Sequence, residues 1–196
     1  MTKAIRWRII VLQAVALLVL MFGSGVAFYA SNFTSDQIHA QLAPQQIFFP
    51  KDAKSGLPAD LSQYAGQQVL TGDQAHAYAE NFIGLHLQEI GKGHPYSYWS
   101  GQAIAATDPT VKATDQGIAD TLFKGETLKS MLNTAWTFSV FGQIALYGAL
   151  GLLVAALIVL GALAFEVVEV VRGKETVAVI STRAGPALAA APLTAN

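Results

Sequence analysis

The chain contains no cysteine, and this absence excludes several kinds of chemistry. Without that residue there is no disulfide, no thiolate zinc site and no cysteine nucleophile. Charged residues are also scarce, at 13% of 196 residues, whereas soluble domains carry roughly 25%. Because the net charge is −1, there is no excess of lysine and arginine, and the composition argues against a surface that binds nucleic acid.

Sequence motifs of common enzymes are missing as well. The chain has no G-x-S-x-G, no H-E-x-x-H, no G-x-G-x-x-G and no phosphate-binding loop. We therefore predict no cofactor and name no catalytic residue. Signals for β-strands are nearly absent, because no alternation of β-branched residues persists for five positions. The sequence accordingly predicts an all-α protein.

Apolar residues are abundant, at 53% of the chain, and they concentrate in two blocks without charge. The first block covers residues 9–31, and a helix of that length measures roughly 34 Å, enough for a hydrocarbon core of ~30 Å. Its length exceeds that of a signal peptide, so we expect a retained anchor, transmembrane helix 1. The second block lies within an extended helix predicted at residues 130–171, which contains transmembrane helix 2.

The basic residues that flank these helices predict the orientation. Residues 1–8 and the tail at residues 172–196 contain every arginine, whereas residues 32–129 contain six lysines and ten acidic residues, a net charge of −4. Basic flanks remain in the cytoplasm. We therefore expect an all-α plasma membrane protein with both termini cytoplasmic. Its two transmembrane helices flank a mostly helical extracytoplasmic domain of about 100 residues.

Local signals suggest where the helices of this domain begin and end. The first long helix should stop at Pro44, since proline lacks the N–H that a helix requires. A second helix is predicted at residues 73–90, with Thr71 or Asp73 as its N-cap and Gly91 as its stop. Further helical pieces are expected at residues 102–106, at 109–119 and from 120 onward. We predict that the tail, rich in alanine after Thr182, remains mobile unless a partner binds it.

Histidines are the residues to examine for a metal site. His76 and Glu80 are four residues apart on one predicted helix face, a spacing that supplies two ligands to one ion. His86 lies ten residues beyond His76, about 15 Å along a helix, too far for bonds near 2 Å to the same ion. A third ligand would have to be His39 or His94, placed by the tertiary fold. The simpler alternative is that these are ordinary polar histidines.

Small residues within the apolar blocks indicate faces where helices pack closely. They recur at helical spacing, namely Gly23 and Ala27 in the first block and Gly148, Gly151, Ala155 and Ala162 in the second. Helices in lipid associate through close backbone approach, which small residues permit. One face would be used when the two helices pack on each other, and a second face would serve another copy or a partner.

Aromatic residues outside the two blocks form a further candidate set, namely Phe48, Phe49, Tyr96, Tyr98 and Trp99. They are expected in the core first, or else at the outer headgroups as an aromatic belt or at a contact surface, where tyrosine and tryptophan are enriched.

Four stretches of the chain carry a resemblance to a known family. They are QLAPQQIFFP at residues 41–50, YAGQQV at 64–69, AYA at 77–79 and FKGETL at 123–128. In these stretches the chain resembles a family of actinobacterial membrane proteins with two transmembrane helices, some of which carry the label aromatic ring-opening dioxygenase. The sequence shows no convergent histidine and carboxylate ligands of the kind that non-heme iron requires. The resemblance therefore implies the two-helix architecture and no catalytic residue.

Three hypotheses for the function follow, and we rank them in this order. The first is a non-enzymatic membrane assembly or interaction protein, which acts as a homo-oligomer or as an accessory subunit of a larger membrane complex. Its partners would be the lipid bilayer and either itself or another membrane protein. The second is an extracytoplasmic protein or sensor that binds a small molecule or lipid, and the third is a metalloenzyme built on His76 and Glu80.

Overall fold

The structure, a computed structural model, describes the backbone of residues 3–183 and the side chains of residues 5–172. This part of the chain is helical and contains no β-strand, as the sequence predicts. Its α-helices are α1 (Lys3–Leu42), α2 (Gly72–Ala77), α3 (Gly84–Ile90), α4 (Tyr96–Ala105) and α5 (Pro109–Arg183). Three 3₁₀ helices occur at Ala43–Gln45, Ala53–Ser55 and Ala59–Tyr64, and a π-helical segment, Tyr78–Ile83, joins α2 to α3.

Helices α1 and α5 are long and apolar enough to cross a membrane. In the most apolar stretch of α1 no residue is buried, and in that of α5 only 11% are buried. Within the part of the chain that the structure describes, most of this apolar surface is therefore left uncovered.

Helix α1 ends at Leu42, which confirms the prediction that Pro44 stops it. Proline restricts the residue before it and offers no N–H to the preceding turn. The chain continues through the Ala43–Gln45 turn, and Gln46 then adopts a left-handed conformation with φ of 51°. An isolated antiparallel bridge follows, in which Phe48 pairs with Gln68.

The helix predicted at residues 73–90 is present but divided into α2, the π-helical segment and α3. Thr71, rather than Asp73, is its N-cap. The backbone N–H of Gln74 donates to Thr71 Oγ1 over 3.3 Å, while Gln74 Oε1 accepts from the Thr71 N–H over 3.2 Å. Two unpaired donors of the helix start are satisfied in this way.

The remaining helices are longer than the sequence suggests. The piece expected at residues 102–106 coincides largely with the second half of α4, which begins directly after Pro95. The pieces expected at residues 109–119 and beyond form the single helix α5. Asp108 caps its start by accepting from the N–H groups of Thr110 and Val111 at 2.7 and 3.1 Å. Because α5 reaches Arg183, it includes part of the predicted tail, and residues 184–196 lie outside the described residues.

The chain divides into two compact units, which we call unit 1 (residues 1–26 and 148–196) and unit 2 (residues 27–147). Unit 2 is larger than the domain expected at residues 32–129, since it also includes residues 27–31 of α1 and residues 130–147 of the second apolar block.

In unit 1, α1 and α5 pack through small residues. Ala149 and Ala156 of α5 are each only 2% exposed, and Ser24 Oγ of α1 donates to the Ala149 carbonyl over 2.9 Å. A Cβ built on Gly23 would lie 3.4 Å from Leu152 Cδ1. The two helices therefore approach closely along this face, as small residues permit.

The core of unit 2 joins α1, the loops and the α2–α3 segment to α5. Its buried residues are Ile38, Leu42, Phe49, Leu57, Leu61, Val69, Ala75, Ala79, Ile83, Leu87, Leu122 and Leu132. The start of α2 lies directly against α5 at Gly72. A Cβ there would overlap the side chain of Ser139 and lie 3.2 Å from Trp136 Cα, so this contact requires glycine.

Candidate functional site: an uncharged groove and a hydrogen-bonded network

An apolar groove of about 870 Å³ lies between α1 and α5 in unit 2. Its rim includes three large side chains that remain more than half exposed: Phe33 at 52%, Met131 at 66% and Phe138 at 56%. Exposed apolar side chains that share one concave surface are typical of binding sites. The volume falls within the range of roughly 300–1,000 Å³ that is usual for small-molecule sites.

The floor of the groove belongs to the core of unit 2. Ile38 and Leu42 of α1 and Leu132 of α5 line it and are 2–7% exposed. Because these residues are held by packing on both sides, the floor is preformed. A ligand would add apolar contacts at a surface that already exists.

The polar groups of the groove are neutral. Gln37, Gln41 and Gln45 line the side formed by α1 and the turn after it, and all three are exposed. On α5, the Thr134 hydroxyl donates to the Ser130 carbonyl over 2.9 Å. No charged side chain lines the groove among the residues that the structure describes. Such a lining offers no ion-pair partner to a charged ligand, whose burial would be costly.

A hydrogen-bonded network next to Trp136 connects α2 and the π-helical segment to α5. Lys129 Nζ lies 2.9 Å from Glu80 Oε2, and Asn133 Nδ2 donates to Glu80 Oε1 over 2.6 Å. His76 Nδ1 lies 3.0 Å from Asn133 Oδ1, which accepts, so this ring nitrogen carries a proton. The His76 ring stacks on Trp136 with centroids 4.1 Å apart.

This network contains both residues of the predicted metal pair. The structure brings His76 and Glu80 together through the side chain of Asn133, and Lys129 provides the positive charge beside the carboxylate. Among the side chains that the structure describes, no group of three or more histidine and acidic residues is arranged to hold a metal ion. The ring of His86 bonds the Phe82 carbonyl at 2.7 Å.

Hydrogen bonds from Lys129, and then from Asn133, hold the pKa of Glu80 below its ordinary value of 4.5. The folded state therefore binds fewer protons than the unfolded state near that pH. It follows that the stabilisation by this network is complete above pH 4.5 and is lost as the pH falls through the lowered pKa.

We expect Glu80→Gln to lower the free energy of unfolding at neutral pH by less than about 1 kcal/mol, as is usual for partly exposed ion pairs. The difference from the wild type should vanish as the pH falls through the lowered pKa of Glu80, because the carboxyl group is then protonated. Urea unfolding at several pH values measures this. Glu89→Gln, at an exposed residue of α3, is the matched control and should show no such trend; a constant difference for Glu80→Gln at all pH values would contradict the prediction.

The candidate aromatic residues separate into buried and exposed members. Phe49 is 2% exposed, whereas its neighbour Phe48 is 53% exposed. Tyr96 and Tyr98 lie exposed on α4. Trp99 is half-buried, and its Nε1 donates to the Gly91 carbonyl over 2.8 Å.

Most of the small residues of α5 that the sequence predicts at a packing face lie outside the face that contacts α1. A Cβ built on Gly148 or Gly151 meets no atom within 4 Å, and Ala162 is exposed. Ala155 is half-buried, as is Ala27 of α1 in unit 2. The small residues buried on that face are Ala149 and Ala156, which were not predicted from the sequence. The available signal was their spacing, since Leu152 lies three residues after Ala149 and four residues before Ala156, as in a helix-packing repeat.

Together these features define an all-helical protein with two helices long enough to span a membrane and an uncharged groove in its larger unit. Comparison of the chain with protein-family models, with curated proteins and with solved structures found no match.

Proposed function

We propose that the protein is a non-enzymatic, membrane-anchored binding protein of the plasma membrane, in which α1 and α5 each cross the bilayer. Both termini would lie in the cytoplasm and unit 2 on the opposite side. The distribution of arginine supports this orientation. Arg6 and Arg8 precede the apolar part of α1, Arg172 follows that of α5, and residues 32–129 contain no arginine.

The proposed activity of unit 2 is the binding of a small apolar molecule in the groove between α1 and α5. The observation that carries this proposal is the groove itself, with its buried floor, its exposed aromatic rim and its uncharged lining. The sequence favours an assembly protein as the first hypothesis. The preformed concave apolar site favours ligand binding instead, because its volume is typical of small-molecule sites.

Photolabelling with an uncharged alkyl diazirine of about eight carbons tests the binding proposal. The full chain, in phosphatidylcholine nanodiscs, is illuminated, and labelled residues are located by peptide mass spectrometry. We expect labels at Phe33, Met131 and Phe138. In Thr134→Trp, labelling at these positions should fall by about tenfold, equivalent to 1.4 kcal/mol, because the indole fills the groove.

Thr127→Trp provides a matched control for the labelling experiment. Thr127 and Thr134 are both exposed threonines of α5 whose hydroxyl groups donate to the carbonyl four residues earlier, at 2.7 and 2.9 Å. Only Thr134 lines the groove. Equal labelling in both variants, or labels spread evenly over the apolar surface of α1 and α5, would contradict the proposal.

A second candidate function is assembly with another copy or with another membrane protein. The observation that favours it is the open space next to Gly148 and Gly151, since packing on α1 does not use these positions. Exposed small residues on a helix in lipid allow a further helix to approach closely.

Cysteine cross-linking in membranes tests this assembly, because the native chain has no cysteine. We expect Gly151→Cys to form a cross-linked product with a copy or a partner on mild oxidation. Ala156→Cys, at a position only 2% exposed against α1, should form none. Equal cross-linking at both positions, or none at either, would count against assembly through this side of α5.

A further inference from the structure

The groove in unit 2 is elongated along its two helices. On α5 its lining extends from Leu128 to Phe138, and ten residues of helix measure about 15 Å. On α1 the lining begins at Phe33 and continues past the helix end to Ile47. A ligand that fills this space is long and narrow, as a hydrocarbon chain is, rather than compact.

The lining also restricts the polar group that the ligand carries. A phosphate or carboxylate held in the groove would have no cationic partner among the described lining residues. Leaving such an ion partly desolvated and unpaired costs far more than placing a hydroxyl or ester beside an amide. Gln37 and Gln41, one helical turn apart, present amides that donate to and accept from such neutral groups.

One end of the groove is formed by the lining residues closest in sequence to the proposed membrane spans. Phe33 lies two residues beyond the apolar block at residues 9–31, and Phe138 is the lining residue of α5 that lies furthest into the charge-free block at residues 130–165. Aromatic side chains near the ends of spanning helices are typical of the membrane interface. A chain from the bilayer would therefore meet apolar surface on its way into the groove.

We infer that the groove binds the hydrocarbon chain of a bilayer lipid whose headgroup is uncharged, such as a diacylglycerol. The inference rests on the proposed function and specifies its ligand. The chain lies along α5 over Leu132 and the exposed Met131, and the neutral headgroup lies beside the glutamine amides. Selection against anionic lipids follows from the uncharged lining.

Two photoreactive lipids with the same diazirine-bearing chain test this inference. One is a diacylglycerol and the other a phosphatidylglycerol, each added in equal amount to nanodiscs of phosphatidylcholine that contain the full chain. We expect labelling of Met131 and Phe33 to be about tenfold stronger from diacylglycerol, a ratio equivalent to 1.4 kcal/mol. Thr134→Trp should remove this labelling, whereas Thr127→Trp should retain it.

The outcomes separate this inference from the proposed function. Labelling by the free alkyl diazirine but by neither lipid would overturn the inference and leave ligand binding in place. Equal labelling from the two lipids would overturn the selection for an uncharged headgroup. If no probe labels the groove, both the inference and the proposed function are overturned. Disulfide cross-linking between copies through Met131→Cys, accompanied by loss of labelling by the probes, would also overturn both, in favour of a protein partner.

Discussion

Replacing Phe49 with alanine should lower the free energy of unfolding of unit 2 by about 3–5 kcal/mol, the usual loss for a buried phenylalanine. The side chain is 2% exposed and lies in an aromatic cluster. Its ring centroid is 5.0 Å from that of Tyr64 and 5.2 Å from that of Tyr78, in stacked and edge-on arrangements. Its removal would leave a cavity between the loops and the helix that they cover. Urea unfolding in nanodiscs, followed by the fluorescence of Trp99 and Trp136, measures the change.

Phe48→Ala is the matched control for this prediction. The two phenylalanines are adjacent, but Phe48 is 53% exposed, so its removal should change the free energy of unfolding by no more than about 0.5 kcal/mol. Similar losses in the two variants would mean that the loop does not bury Phe49 against the core while leaving Phe48 exposed.

The contrast between Phe48 and Phe49 illustrates what sequence reasoning can reach. Adjacent residues of an extended segment point to opposite sides, so one of the pair is expected inside and the other outside. Which one is buried depends on the pairing with residues 67–69, where Phe49 N–H donates to the Gln67 carbonyl over 2.9 Å. That pairing joins segments about twenty residues apart, and no local pattern specifies it.

Helix boundaries were easier to predict than contacts, because their signals are local. Pro44 ends α1, and Thr71 caps α2 through its own neighbours. The division of the second helix by a π-helical segment at Tyr78–Ile83 had no such signal. Helix α5 is longer than its separate local signals indicate, because no proline interrupts the chain between Pro109 and Arg183.

The candidate site could be predicted only in part. The sequence paired His76 with Glu80 on one helix face, and the structure places both in one network. Asn133, which hydrogen-bonds to both, is more than fifty residues away in the sequence. Its position beside His76 and Glu80 depends on how α5 packs on α2, which no local pattern specifies. The groove was not predicted, since it results from the separation of two helices whose facing residues belong to distant parts of the chain.

Labelling of single introduced cysteines should show on which side of the membrane each residue lies. Because the native chain contains no cysteine, only the introduced residue can react, and each variant is either labelled or protected in intact cells. Ser62→Cys, at an exposed position of the Ala59–Tyr64 helix, should react with a membrane-impermeant maleimide in intact cells. Trp7→Cys, at a position 67% exposed near the start of α1, should react only after the cells are permeabilised. Neither substitution alters an arginine or lysine, so the basic flanks that favour cytoplasmic termini remain intact.

The pattern of labelling distinguishes the possible topologies. Reaction of Trp7→Cys and protection of Ser62→Cys in intact cells would invert the proposed orientation. Protection of both would place unit 2 in the cytoplasm, and the groove would then face the inner rather than the outer leaflet. Reaction of both in intact cells would mean that α1 does not cross the bilayer. Since the second charge-free block at residues 130–165 is the longer one, α5 would then be the only anchor, and the Arg6 and Arg8 flank would no longer report on orientation.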